Sequence, residues 1–258
     1  QDAITPKGHA TDLFTSWACD YLDTQKGKEA PFFLFLAYNA PHTPIQPPQE
    51  WLDKVKTRSP NITAARSKIV ALIEHLDAGI STVLRRLSAN GQSENTLVIF
   101  TSDNGGQVNV GGNNGNLRDG KQSMYEGGLR VPTAFKWPGH IKSGLTTEQR
   151  ALTMDIYATI CDLVGIPVEH EIDGISLAKA LNGDSLGNYD RDLYFHRREG
   201  NQRYQGLITN AMIRGDWKLI HNSPFAPLEL YNLRTDPFEK VNQAAKNPAK
   251  FAELAKSL

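Results

Sequence analysis

The chain has 258 residues, with 28 basic side chains against 28 acidic ones and a formal net charge of zero. Hydrophobic residues make up 40% and charged residues 22%, which argues against disorder and fits one large or two small domains. The neutral balance points to neither a nucleic-acid nor an anionic-membrane partner. The longest apolar run, Phe32 to Tyr38, is far short of the about 20 residues that span a bilayer.

The first residues, Gln1-Asp2-Ala3-Ile4-Thr5-Pro6, have neither a basic start nor an apolar stretch, and no Met precedes them. The expectation is a chain that begins inside a longer reading frame. Thr11 to about Thr24 reads as a helix capped by Thr11 or Asp12, with Leu13, Phe14, Trp17, Tyr21 and Leu22 at helical spacing. The run after Pro31 reads as a strand buried on both faces. It feeds a loop dense in proline: Pro41, Pro44, Pro47 and Pro48.

A long helix is expected from about Ala64 to Ala89, its stripe running from Ile69 through Leu72, Leu76 and Ile80 to Leu87. Asn90-Gly91 closes it. Leu97 to Thr101 is a second buried strand, and strand, helix, strand predicts an α/β sheet. A glycine- and asparagine-rich loop, Asn104 to Gly120, follows at the sheet end where such folds place their sites. Val131 to Trp137 is a third strand and Met154 to Val164 a helix. From about Asp190 short strands follow: Leu193 to His196, Tyr204 to Ile208, Ala211 to Ile213, Trp217 to His221 and Leu228 to Tyr231. A last helix begins at Asn247-Pro248. The cysteines, Cys19 and Cys161, lack metal-type spacing and read as buried hydrophobes or one disulfide.

Three stretches carry candidate chemistry. Ser102-Asp103-Asn104-Gly105-Gly106 offers hard oxygen ligands of the kind calcium and magnesium take, although Asp-Asn-Gly-Gly is also ordinary turn chemistry. Asn39-Ala40-Pro41-His42-Thr43-Pro44 holds a histidine between prolines, suited to an anion or a leaving-group oxygen, or simply a surface histidine. In Asp119-Gly120-Lys121-Gln122-Ser123, Lys121 suits an oxyanion, against the alternative of a solvated lysine. Glu126 and Arg130, four apart, read as a structural ion pair.

Together these stretches resemble the sulfatase family of the alkaline-phosphatase-like superfamily. The matching pieces are Ala37 to His42, Phe100 to Gly106, Gly120-Lys121 with Glu126-Gly127-Gly128-Leu129-Arg130-Val131-Pro132, Met154-Asp155-Ile156, Asp173 to Leu177, Arg214 to Ile220, and Glu229 to Leu233 before Asp236-Pro237. The resemblance implies an α/β fold with a mixed or parallel sheet flanked by helices, plus a small C-terminal antiparallel β subdomain with a helix. The catalytic portion is expected over residues 1–185 and the subdomain over 186–258. It implies sulfate-ester hydrolysis with a calcium ion, to which Asp103 and Asn104 contribute. His42 would contact sulfate or protonate the leaving group, and Lys121 would bind a sulfate oxygen.

The family's formylglycine nucleophile lies in a Cys/Ser-x-Pro/Ala-x-Arg motif, and this sequence has none. The paired aspartates of the early calcium strand are absent too. The expectation is a fragment of a calcium- and formylglycine-dependent sulfatase, its isolated chain inactive, with an incomplete calcium ligand set. The alternatives are a non-catalytic sulfate- or carbohydrate-binding relative and a phosphoester or phosphonate hydrolase of the same superfamily. The expected partner is a sulfated small molecule or polysaccharide, in a periplasmic, secreted or lysosomal setting, with no nucleic acid and no transmembrane segment. Self-association through an exposed sheet edge is expected if central strands are missing. Arg197, Arg198 and Arg203 read as a solvated basic face rather than a polyanion site, and Asn61-Ile62-Thr63 has the form of a glycosylation acceptor.

Overall fold

The computed structural model of the chain describes residues 5–184, 186, 191–198 and 207–258. Helix α1, Ala10–Gln25, buries Thr11, Thr15, Ala18, Cys19 and Leu22, one face at helical spacing. Its cap is His9, not Thr11 or Asp12: the His9 ring accepts from Thr11 N–H at 3.2 Å. The cap is thus an imidazole, outside the usual Ser/Thr/Asp/Asn set.

Helix α2, Gln49–Arg58, was hidden in the sequence behind the proline loop. Pro48 precedes it, and only Leu52 and Val55 are buried, against Ala71 of helix α3. Helix α3, Ala64–Ala89, is capped by Thr63, which accepts from Arg66 N–H at 3.3 Å. Its buried face includes Ile69, Leu72 and Leu87 as expected, but also His75 and Gly79. A Cβ on Gly79 would stand 2.7 Å from Thr15 Oγ1, so the missing side chain admits α1.

The run Phe32 to Tyr38 is not a doubly buried strand. Among the described residues it belongs to no ladder and its exposure alternates. Phe33 and Phe35 are 72% and 80% exposed, while Phe32, Leu34, Leu36 and Tyr38 are half-buried. Tyr38 hydrogen-bonds Thr15 Oγ1 at 2.9 Å, and Phe32 meets Tyr21 edge-on. The chain therefore supplies one cover for a segment whose composition suits two.

Strand β1 is Val98–Phe100 and pairs with β2, Ala134–Lys136, in a two-stranded sheet. Both are shorter and more exposed than the sequence suggests, with Phe100 44% exposed. Helix α4 is Glu126–Leu129, α5 Asp155–Leu163 and α6 Ala178–Leu181. Strands β3 (Leu193–Arg198), β4 (Ile208–Arg214), β5 (Trp217–His221) and β6 (Glu229–Asn232) form an antiparallel sheet in sequential order, and α7 is Pro248–Ala255. The expected segment Tyr204 to Ile208 lies mostly outside the described residues. Gly215, at φ 55°, makes the tight turn between β4 and β5.

This sheet is covered on both sides. Met212, Leu219 and Leu230 pack on Leu254 of α7. Ala211, Ile220 and Tyr231 of the other face pack on Met124 and Tyr125. That second contact brings the segment leading into α4 against the C-terminal sheet. Cys19 and Cys161 are buried free thiols, not a disulfide.

The described residues within Gln1–Val98, Asn109–Gly112 and Lys136–His140 form one compact unit. Those within Ile99–Val108, Asn113–Phe135 and Ile141–Leu258 form a second. Among them no helix is long and apolar enough to cross a membrane.

Candidate functional site

The glycine-rich loop after β1 is held by backbone bonds that only small residues permit. Gly105 N–H donates to Gly128 O at 3.0 Å, and an added Cβ on Gly105 would fall 1.8 Å from Gly127 O. Asn114 clamps the same loop: its Oδ1 accepts from Gly106 N–H at 2.8 Å, and its Nδ2 donates to Gly106 O and Asp119 O. Lys121 N–H donates to Gly106 O at 3.1 Å, and a Cβ on Gly120 would stand 2.2 Å from that oxygen. Asp119 and Gln122, at φ 61° and 80°, turn the chain around Lys121.

Asp103, Asn104 and Lys121 therefore sit on one hydrogen-bonded loop core. The Asp103 carboxylate is exposed, with no hydrogen bond or ion pair to a described residue. Asn104 uses its Nδ2 on Gly105 O at 3.0 Å, which leaves its Oδ1 free as well. The donor chemistry suits a hard cation, but two side chains fall short of the six to eight oxygens calcium takes. His42 belongs to the other unit. It is exposed, its backbone N–H bonds Asn39 O at 2.8 Å and its Nδ1 lies 2.7 Å from Thr43 O, between two cis peptide bonds, Ala40–Pro41 and Thr43–Pro44.

The expected Glu126–Arg130 ion pair is not formed. Glu126 instead meets Lys218 Nζ at 2.8 Å, and Lys218 Nζ lies 2.9 Å from Glu239 Oε1. Glu239 Oε2 accepts from Glu126 N–H at 2.6 Å. Lys218 and Glu239 are fully buried. Burial pushes the Glu239 carboxyl up, against the pull of Lys218 and the Glu126 N–H. This triad holds α4, and Gly128 of α4 holds Gly105. A lysine inside the apolar run Trp217-Lys218-Leu219-Ile220 was the available signal, because a buried ammonium must have partners.

A second network stands beside it. Arg118 lies over the Tyr125 ring at 3.8 Å and donates to Tyr231 Oη and Glu239 O. Tyr125 and Tyr231 both donate to Glu229. Burial, aided by Glu229, pushes the Tyr231 phenol up to about 12 and that of Tyr125 up as well, so both stay donors. Of the basic trio, Arg197 donates to Gln122 O at 3.0 Å, next to Lys121, and Arg198 is exposed. Arg203 lies outside the described residues.

Asp155, in the Met154-Asp155 motif, is a buried clasp. It accepts from Leu152 N–H at 2.7 Å and Ile175 N–H at 3.0 Å and pairs with Arg191. In the first unit His9, Asp12 and His75 place ligand atoms within 4.8 Å of one another; among the described residues no other three His, Cys, Asp or Glu do so.

Residues 2–166 match the sulfatase family model. The chain belongs to the sulfatase family. Residues 117–258 also match the C-terminal region of N-sulphoglucosamine sulphohydrolase. This sulfatase-family chain is 34% identical over 200 residues to N-acetylgalactosamine-6-sulfatase of Mus musculus, covering 75% of the chain and 36% of that relative. It is 32% identical over 264 residues to a sulfatase of Formosa agariphila, covering 95% of the chain and 47% of the relative. Among solved structures it is similar to Ps i-CgsB in complex with k-i-k-neocarrahexaose, at 30% identity and a TM-score of 0.89, covering 98% of the chain and 55% of that protein. The chain thus spans about half or less of the length of these relatives. Its fold is the alkaline-phosphatase-like fold of these neighbours, with the antiparallel β3–β6 sheet in its C-terminal part.

Proposed function

We propose that this chain is the C-terminal part of a sulfatase that hydrolyses sulfate esters of a sulfated saccharide. The observation that carries the reading is the loop core: Asp103 and Asn104, with free side-chain oxygens, and the backbone of Lys121 are held on one network through Gly105, Gly106 and Gly128. A cation-directed pair and a cationic residue on one loop core suit an oxyanion whose charge must be neutralised from two sides. The saccharide is favoured by the 30% identity to a protein solved with a neocarrahexaose.

Asp103 and Asn104 would supply part of a calcium site. Calcium, when bound, stabilises negative charge on the transferring group. Lys121 would bind a sulfate oxygen. His42, on its proline-flanked loop, would contact the sulfate or protonate the departing alcohol. On this reading residues 1–185 belong to the catalytic α/β domain and 186–258 to the C-terminal subdomain. A formylglycine nucleophile would come from outside this chain, so the isolated chain has no turnover. The setting would be periplasmic, secreted or lysosomal.

In a polypeptide joining this chain to a sulfatase nucleophile region, Lys121→Ala and His42→Ala are expected to lower kcat/KM on a sulfated oligosaccharide by about a hundred-fold or more, the scale of general acid and oxyanion contributions. Unchanged kcat/KM in both would overturn the assignment. The isolated chain should leave an aryl sulfate intact and bind calcium weakly in calorimetry. Turnover, or tight stoichiometric calcium, would show that the site is complete here.

A further inference from the structure

We propose a second metal site, formed by His9, Asp12 and His75, that takes a zinc-class transition ion rather than calcium. His75 is 5% exposed and projects from α3; its Nε2 lies 2.7 Å from Asp12 Oδ1. His9 caps α1, and its ring stands 4.7 Å from that of His75, edge to face. One ligand atom from each residue falls within 4.8 Å of the others. Four-coordinate zinc holds its ligands at about 2.0–2.2 Å, which sets ligand atoms somewhat over 3 Å apart, so a modest contraction closes the set. Two imidazoles and one carboxylate are the donors of zinc, nickel or cobalt sites; calcium and magnesium take oxygens.

The hydrogen bonds say which atoms would bind. His9 Nε2 lies 3.1 Å from Gln46 O, and its Nδ1 accepts from Thr11 N–H. Both bonds are satisfied by one neutral ring with its proton on Nε2. A metal on Nδ1 displaces Thr11 N–H and keeps the Nε2–H bond to Gln46 O, the outer-shell contact that orients metal-bound histidines. A metal on Nε2 would turn an Nδ1–H against Thr11 N–H. His75 offers Nε2, where the ion replaces the proton now shared with Asp12, and that proton moves to Nδ1. In the structure Nδ1 is buried with no partner, so a proton placed there is a buried donor without an acceptor, which costs binding energy. Trp51 stacks on His75 at 5.6 Å and fixes the ring plane. Asp12 is mostly exposed and keeps a fourth position open to solvent. Three costs limit affinity: the unpartnered Nδ1–H of His75, the lost cap bond, and a cation beside the positive end of α1, which Asp12 offsets.

The test uses the isolated chain and the metals alone. Cobalt(II) titration should give a visible absorption of four-coordinate type at one equivalent, which zinc then displaces and calcium does not. Asp12→Asn removes the charged ligand at an exposed position. His9→Asn removes an imidazole yet keeps a good capping side chain. Each should weaken zinc binding about ten-fold or more, with circular dichroism unchanged. At one fixed concentration zinc should also raise the Tm of the parent chain more than that of either variant. Absent cobalt absorption, or equal zinc affinity in parent and both variants, overturns the site and leaves the three residues as a capping network.

Discussion

Lys218, fully buried, meets two carboxylates. Removing it by Lys218→Met leaves Glu126 and Glu239 facing each other, and breaking a buried ion pair from one side costs about 3–5 kcal/mol. Urea denaturation should show a loss of that size. The double variant Lys218→Met with Glu239→Gln should recover part of it, since one uncompensated charge is gone. If the double variant is no better than the single one, the loss comes from packing and not from charge. Gly105→Ala is the sharper test of the loop, because its Cβ would fall on Gly127 O at 1.8 Å. The expected result is a lower Tm and displaced Asp103-Asn104 resonances; an unperturbed variant would mean the Gly105–Gly128 contact is not what holds the loop. These residues were unequally legible in the sequence. Asp103, Asn104, Lys121 and His42 stand in recognisable local motifs. Glu239 does not, because it meets Glu126 across 113 positions of chain and nothing local marks it.

At the level of elements, the start of β3 is tied to the end of β4 by one arginine. Arg214 Nε donates to Asp192 at 2.7 Å, its Nη2 makes a second bond to the same carboxylate, and its Nη1 reaches Glu253 of α7 at 3.3 Å. The Arg214 hydrogen bonds hold the Asp192 carboxyl below the usual carboxylate range. A folded-state pKa lowered in this way adds stability above the unfolded carboxylate range, and that stability is lost as pH falls through the folded value. Asp192→Asn should therefore be less stable than the parent at neutral pH, with the gap closing in acid below the ordinary carboxylate range. A gap constant with pH would show that the pair does not carry it. The C-terminal strands and α7 were readable because alternating apolar residues and Gly215-Asp216 state them locally. Helix α2 was not, since two buried side chains in ten residues give too faint a stripe and the prolines before it suggest loop.

For the whole molecule, the exposed row on Phe32 to Tyr38 is the decisive surface. Phe33 and Phe35 stand out beside backbone groups that enter no ladder among the described residues, which is a template for strand pairing. Light scattering should show concentration-dependent association of the isolated chain, and Phe33→Ser with Phe35→Ser should shift it toward monomer. A parent chain monomeric at all concentrations would remove the edge from consideration. The sequence by itself determined the helices and strands with a strong local period, the turn residues, and the motifs that mark the sulfatase family, since each of these is written within a few neighbouring positions. The neutral charge balance supplies no net attraction for an anion. Only the tertiary structure decided how much cover the apolar run receives, which carboxylates Lys218 meets, and that His9, Asp12 and His75 converge. Those facts depend on contacts between residues tens of positions apart, up to 92 between Lys218 and Glu126, and burial and pairing at that range are set by which elements pack together.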